Sequence, residues 1–309
     1  MKLSQIAPEL QPIARFMPPL PLGNPLSRRL IRSMTGLAAR NKSYPGVRLE
    51  QRHTTNGTAL RIFTPESGAT GAALLWIHGG GMLIGSANQD DAFCAATANK
   101  LGVVIISTNY RLAPENPFPA AIDDCFAAWQ WIQSNSENLH ISPAKVAVGG
   151  QSAGGGLAAA LVQRIHDFGG LQPPAQWLFC PMLDDRTAAQ RDLDPIKHFV
   201  WNNQNNRVGW QAYLGQEPGA VMVPQYAVPA RRENLQGLSA TWIGIGDVEL
   251  FYQEAETYAT QLRAAGVDCT LTVVHGAPHA FETFAASTPL AKKYIAESYQ
   301  WLQEKLANN

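Results

Sequence analysis

Residues 149–156 read GGQSAGGG and contain Gly150-Gln151-Ser152-Ala153-Gly154, a G-x-S-x-G spacing. An apolar run, KVAVGG (145–150), leads in, and an Ala/Leu-rich helical pattern leads out. Glycines two before and two after a serine permit a strand-to-helix turn too tight for a Cβ, which lifts the hydroxyl above a sheet. A phosphate loop would end in G-K-[ST], and no lysine follows here. A dinucleotide fingerprint needs another glycine register. The stretch therefore reads as a nucleophile elbow with Ser152 at its tip, with a plain connecting turn as the alternative.

A serine hydroxyl is a weak nucleophile at neutral pH, so it requires a base, an acid to orient that base, and donors for the oxyanion that forms. HGGG at His78–Gly81 follows an apolar strand pattern and lets bare backbone N–H groups approach a ligand. His78 itself reads as a structural anchor of that loop. The base should come last in chain order. Of the seven histidines, His279 in HGAPHAFE lies in a loop context after the last strand pattern. His275 reads as a core or strand-end residue, and His53, His140, His166 and His198 lie in surface-like contexts. For the acid, Asp247 and Glu249 both follow the strand pattern TWIGIG. Two residues apart in an extended chain, they face the same way, and the residues alone do not separate them.

The elements that must position these groups alternate. The strand patterns are AALLWIH, VVIIST, KVAVGG, AQWLFC, TWIGIG and CTLTVVH, with longer helical patterns between them. That order predicts an α/β fold with a mostly parallel central sheet flanked by helices. Two segments interrupt it. The first 40 or so residues carry helical apolar spacing, and residues 184–236 form an Asn-, Gln- and Pro-rich insertion, the kind that builds lids or substrate walls.

Composition narrows the function. Lys+Arg and Asp+Glu both total 24, so no basic footprint for nucleic acid is visible. No stretch has the roughly 20 apolar residues of a membrane helix, and the N-terminal stretch lacks a signal-peptide core. Cys94, Cys125, Cys180 and Cys269 are scattered without metal-ligand spacing, as expected of reduced residues in a cytoplasmic protein. No metal or organic cofactor is expected.

Together HGGG, YRLAPENPFPAAIDD (110–124), GGQSAGG, CPMLDDR (180–186), GLSATWIGIGDVELF and GAPHAFE resemble the hormone-sensitive-lipase-like (family IV) carboxylesterases of the α/β-hydrolase superfamily, from about residue 70 to the end. The resemblance implies an α/β-hydrolase fold with a helical cap. The cap would comprise residues 1–45 and part of 184–236, and the catalytic domain 46–309. It implies Ser152, Glu249 and His279 as the triad, because the family places its acid three residues after a glycine (Gly246) and before an apolar pair (Leu250-Phe251). Asp247 is the rival. It implies an oxyanion hole of Gly80, Gly81 and Ala153 backbone N–H groups, short- to medium-chain acyl esters as substrates, and a homodimer through an exposed edge strand. The chain departs from the family at Gln151, where Asp or Thr is usual.

The remaining motif residues read as scaffold. Asp123 or Asp124 should satisfy backbone donors, Asp184 and Asp185 should orient a loop, and Trp201, Trp210 and Tyr213 line a pocket or fill the core. The competing functions are an amidase, thioesterase or small-metabolite deacetylase using the same triad, and a non-catalytic ligand-binding protein on the same fold.

Overall fold

The computed structural model describes residues 1–17, 20–37 and 43–307. The expected cap segment 1–45 thus includes residues 18–19 and 38–42, which lie outside the described residues. In chain order the elements are α1 (Gln11–Ala14), α2 (Pro25–Leu37), β1 (Val47–His53), β2 (Ala59–Pro65), β3 (Ala73–Ile77), α3 (Asp91–Leu101), β4 (Val104–Asn109), α4 (Ala120–Ser134), β5 (Val146–Gln151), α5 (Ala153–Phe168), β6 (Ala175–Phe179), α6 (Asp185–Ala189), α7 (Asn203–Leu214), β7 (Ala240–Gly246), α8 (Tyr252–Ala264), β8 (Cys269–Val274), α9 (Phe281–Phe284) and α10 (Pro289–Ala307).

The strands form one eight-stranded sheet in the order β1-β2-β4-β3-β5-β6-β7-β8. From β4 to β8 neighbouring strands run parallel, while β1 and β2 pair antiparallel with each other, and β2 with β4. The β1–β2 hairpin is absent from the strand patterns singled out above. Its strand β1 keeps mostly polar, half-buried or exposed residues because it sits at the sheet edge, so it lacks the apolar run of a central strand. Asn56-Gly57, between two alternating runs, is the local signal that marks it.

Side chains alternate across each strand, so the sheet carries two cores. Leu75, Ile77, Val146, Val148 and Ile243 pack with α4, α5 and α8 on one face. Leu74, Trp76, Trp177, Phe179 and Trp242 pack with α3 and α10 on the other. Truncating a residue such as Trp177, fully buried, would remove about 3–5 kcal/mol. β3 and β5 lie side by side, so their carboxyl ends bring HGGG next to the elbow. No helix among the described residues is long and apolar enough to cross a membrane.

Candidate active site

β5 ends at Gln151 and α5 begins at Ala153, which leaves Ser152 as the single residue between strand and helix. Its φ of 57° and ψ of −121° are rarely adopted by a residue with a side chain, at a cost of about 1–3 kcal/mol. Backbone bonds over-determine it: Ser152 N–H donates to Phe179 O at 2.8 Å, and its carbonyl accepts from Gly156 and Met182 N–H, both at 3.0 Å. A Cβ on Gly154 would stand 2.0 Å from the Ile77 carbonyl oxygen, so the turn tolerates no side chain there.

His279 Nε2 lies 2.9 Å from Ser152 Oγ, and its Nδ1 lies 2.9 Å from Glu249 Oε2. All three residues are buried. An ionised carboxylate only accepts, so the network assigns the proton to Nδ1 and leaves Nε2 to accept from the serine hydroxyl. Phe251 meets the imidazole edge-on at 5.3 Å and Trp201 lies 6.4 Å away, which fixes the ring between apolar walls. In such a low-dielectric setting the carboxylate attracts a developing imidazolium more strongly than it would in water.

Asp247 goes elsewhere. Its Oδ2 bonds His275 Nδ1 at 2.6 Å and its Oδ1 accepts from Gly276 N–H at 2.7 Å. Residues 247–251 form turns rather than an extended strand, so the two carboxylates diverge instead of sharing a face. His275 follows β8 with its side chain 95% exposed, a strand-end residue outside the core.

Ala153 follows the serine directly, and the loop that carries Gly80 and Gly81 lies against it. A Cβ on the neighbouring Gly79 would come within 3.3 Å of Ser152 Cβ, which shows how closely the loop abuts the elbow. The N–H groups of Gly80, Gly81 and Ala153 donate to no acceptor among the described residues. Ala153 opens a 16-residue helix whose dipole points its positive end at the same spot. Trp201 Cη2 would lie 2.0 Å from a Cβ on Gly81, so the indole rests directly on this loop. His78 is fully buried, bonds its Nδ1 to Gly79 O at 2.8 Å and stacks on Tyr110 at 4.2 Å. Burial pushes its pKa down to about 4, which keeps it a neutral anchor.

A family model of the alpha/beta hydrolase fold matches residues 74–283. The carboxylic ester hydrolase LipN of Mycobacterium tuberculosis is 34% identical over 72% of this chain and 60% of its own length. Carboxylesterase NlhH of the same organism is 30% identical over 75% of this chain and 73% of its own. Among solved structures, a bacterial heroin esterase superposes with a TM-score of 0.91 at 32% identity, over 99% of each chain. The chain belongs to the α/β-hydrolase fold family, in its hormone-sensitive-lipase-like branch of carboxylic ester hydrolases.

Within this α/β-hydrolase, the Gln151 departure has a structural counterpart. Gln151 Nε2 donates to Glu282 Oε1 and to Thr283 Oγ1, both at 2.6 Å, and so straps the elbow to the helix that follows His279. Glu282 is buried, and desolvation raises its pKa. The motif GAPHAFE contained Glu282, but its role was not legible there; its place three residues after His279 is the available signal.

Glu254 is a second buried acid of this kind, its pKa raised well above the usual carboxylate range by burial. It accepts from Leu183 N–H at 2.7 Å and from Thr187 Oγ1, and so holds the loop after β6. Asp124 accepts from Arg111 N–H at 2.9 Å and Asp123 pairs with Arg164 at 2.6 Å. Asp184 caps α6 and Asp185 binds Gly219 N–H and Arg231. Trp210 and Tyr213 are buried core residues of α7. His53 and His140 are exposed, but His166 and His198 are half-buried rather than on the surface. Burial lowers the His198 pKa to about 4.

Proposed function

We propose that this carboxylic ester hydrolase works by acyl transfer through Ser152. The observation that carries the proposal is His279 bridging Ser152 Oγ and Glu249 Oε2 at 2.9 Å on each side, inside a buried site. Ser152 Oγ attacks the ester carbonyl carbon while its proton passes to His279 Nε2. The oxyanion takes N–H bonds from Gly80, Gly81 and Ala153. Glu249 holds Nδ1–H and stabilises the imidazolium. The tetrahedral adduct collapses, the C–O bond breaks, and the leaving alkoxide takes the proton from Nε2. Water then attacks the acyl-serine carbonyl with its proton passing to Nε2, and collapse returns that proton to Ser152 Oγ and releases the acid.

Short- to medium-chain acyl esters are the proposed substrates. Trp201 against Gly81 narrows the space beside the oxyanion donors, which supports small acyl groups. The N-terminal helices and part of 184–236 serve as the cap. Arg32 of α2 donates to Leu83 O and Ala113 O, both at 2.7 Å, and Asn205 of α7 donates to Leu20 O at 2.9 Å, contacts that support a joint cover. The four cysteines are buried and unpaired, which supports a reducing cytoplasmic setting. β8, with Val273 exposed at the sheet edge, supports pairing of a second copy there.

The test is hydrolysis of a chromogenic acyl ester series from acetate to palmitate, with matched thioester and amide substrates. Ester hydrolysis that peaks at short chains and disappears in Ser152→Ala is the expected result. Faster turnover of the amide or thioester would replace the ester reading, and activity that persists in Ser152→Ala would remove the serine mechanism.

A further inference from the structure

Between α3 and α10, on the face of the sheet that carries Trp76 and Phe179, lies a cavity of about 590 Å³. Neither Ser152 nor His279 lines it. It reaches the reaction site from behind, because Gln151 and Glu282 form part of its wall. Its volume is in the range of about 300–1,000 Å³ that holds a small organic molecule.

The rings of Trp76, Phe93, Phe179 and Tyr299 are among its lining, while Ala96 and Ala296 leave the space between the helices open. Two acids also line it. Asp90 and Glu282 are 8% and 7% exposed, and neither forms an ion pair with a cation among the described residues. The donors beside them are already engaged. Trp76 Nε1–H goes to Asp90 Oδ2 at 2.8 Å, and Gln151 Nε2 serves Glu282 and Thr283. Each carboxylate offers about four acceptor positions, so this part of the wall has acceptors to spare. Burial accordingly pushes the Asp90 carboxyl up to about 6 and Glu282 upward as well. Lys100 and Lys292 also line the cavity, but both are exposed and pair with neither acid.

We propose that this cavity is a second binding site, taking an organic ammonium with an apolar aryl or alkyl body. The aromatic rings accept the body and face the cation, and Asp90 and Glu282 accept its N–H groups. An anionic head would meet two carboxylates. A neutral apolar molecule would bury those acids further without compensating them. The site is separate from the ester-binding side of Ser152, and only the label used in its test draws on the reactivity proposed there.

The experiment is calorimetric titration of the full chain, near neutral pH, with 2-phenylethylammonium, 2-phenylethanol and 3-phenylpropanoate. Ser152 carries a covalent sulfonyl label throughout, so that its own pocket is closed. The expected order is ammonium about tenfold or more tighter than the alcohol, with the carboxylate weakest. Asp90→Asn should weaken the ammonium about tenfold and leave the alcohol within about threefold. Ala96→Phe should weaken both by filling the cavity from its exposed rim, and Ala296→Phe repeats that block from α10 should the first variant fail to fold. Equal affinity for ammonium and alcohol, preference for the carboxylate, absence of saturable binding, or indifference to the two blocking substitutions would each overturn the proposal.

Discussion

Two histidine–carboxylate pairs stand side by side at the carboxyl ends of β7 and β8. His275 bonds Asp247 at 2.6 Å and His279 bonds Glu249 at 2.9 Å. By distance the first pair is the tighter. By setting they are opposites: the His275 side chain is 95% exposed, whereas those of His279 and Glu249 are 4% and 0% exposed. An exposed pair of this kind is worth about 0–1 kcal/mol, and here it has no third member among the described residues. The buried pair has Ser152 on its far nitrogen. The comparison teaches that burial and a nucleophile within reach, rather than a short contact, make such a pair chemically useful.

The sharpest way to break the comparison is at its third member. Ser152→Ala should lower kcat by about 10⁶-fold in a chromogenic ester assay, while thermal unfolding stays cooperative. Glu249→Ala should cost about 10⁴-fold, and a comparable loss in Asp247→Ala instead would exchange the two pairs. On the HGGG loop, Gly81→Ala drives a methyl into Trp201, and about 10²- to 10³-fold loss in kcat is expected as the proposed oxyanion donor moves.

A third carboxylate, Asp90, has an indole but no histidine beside it, and it sharpens the point through stability. Burial pushes its carboxyl up to about 6 in the folded chain, against 3.8 for a freely solvated aspartate. Below the lower value it is protonated in both states and has no effect. As pH rises through the interval, the unfolded chain releases its proton first, so the folded state loses stability. Asp90→Asn carries no such proton, and chemical denaturation should show it gaining on the wild type by about 3 kcal/mol between pH about 4 and pH above about 6. A difference that stays constant with pH would place Asp90 in a polar setting. The smallest effects belong to the exposed pair: His275→Ala should leave kcat within about twofold and stability within about 0.5 kcal/mol, read from the same assays.

The elbow and the HGGG loop were legible in the sequence because each depends on glycines whose absent Cβ is a backbone requirement, as the 2.0 Å approach at Gly154 shows. The parallel strands were legible because β3 and β6 are buried on both faces and so are continuously apolar. The acid was harder. Its identity depends on how residues 247–251 turn, which an extended-chain argument cannot supply, and the family register was needed to favour Glu249 over Asp247. The Gln151–Glu282 strap spans 131 residues, and no local pattern in either stretch points to the other. The β1–β2 hairpin was hidden by the polar residues that an edge position permits.

Trp201 belongs to the insertion between β6 and β7, yet its indole rests on Gly81 of the HGGG loop. The insertion is therefore not an interchangeable module. Grafting another esterase's segment onto this chain would change the wall proposed beside the acyl group and, in the same step, remove the brace behind Gly81, one of the proposed donors. Exchanging 184–236 together with the loop after β3 keeps that joint intact, and the unit of exchange in this enzyme is the pair.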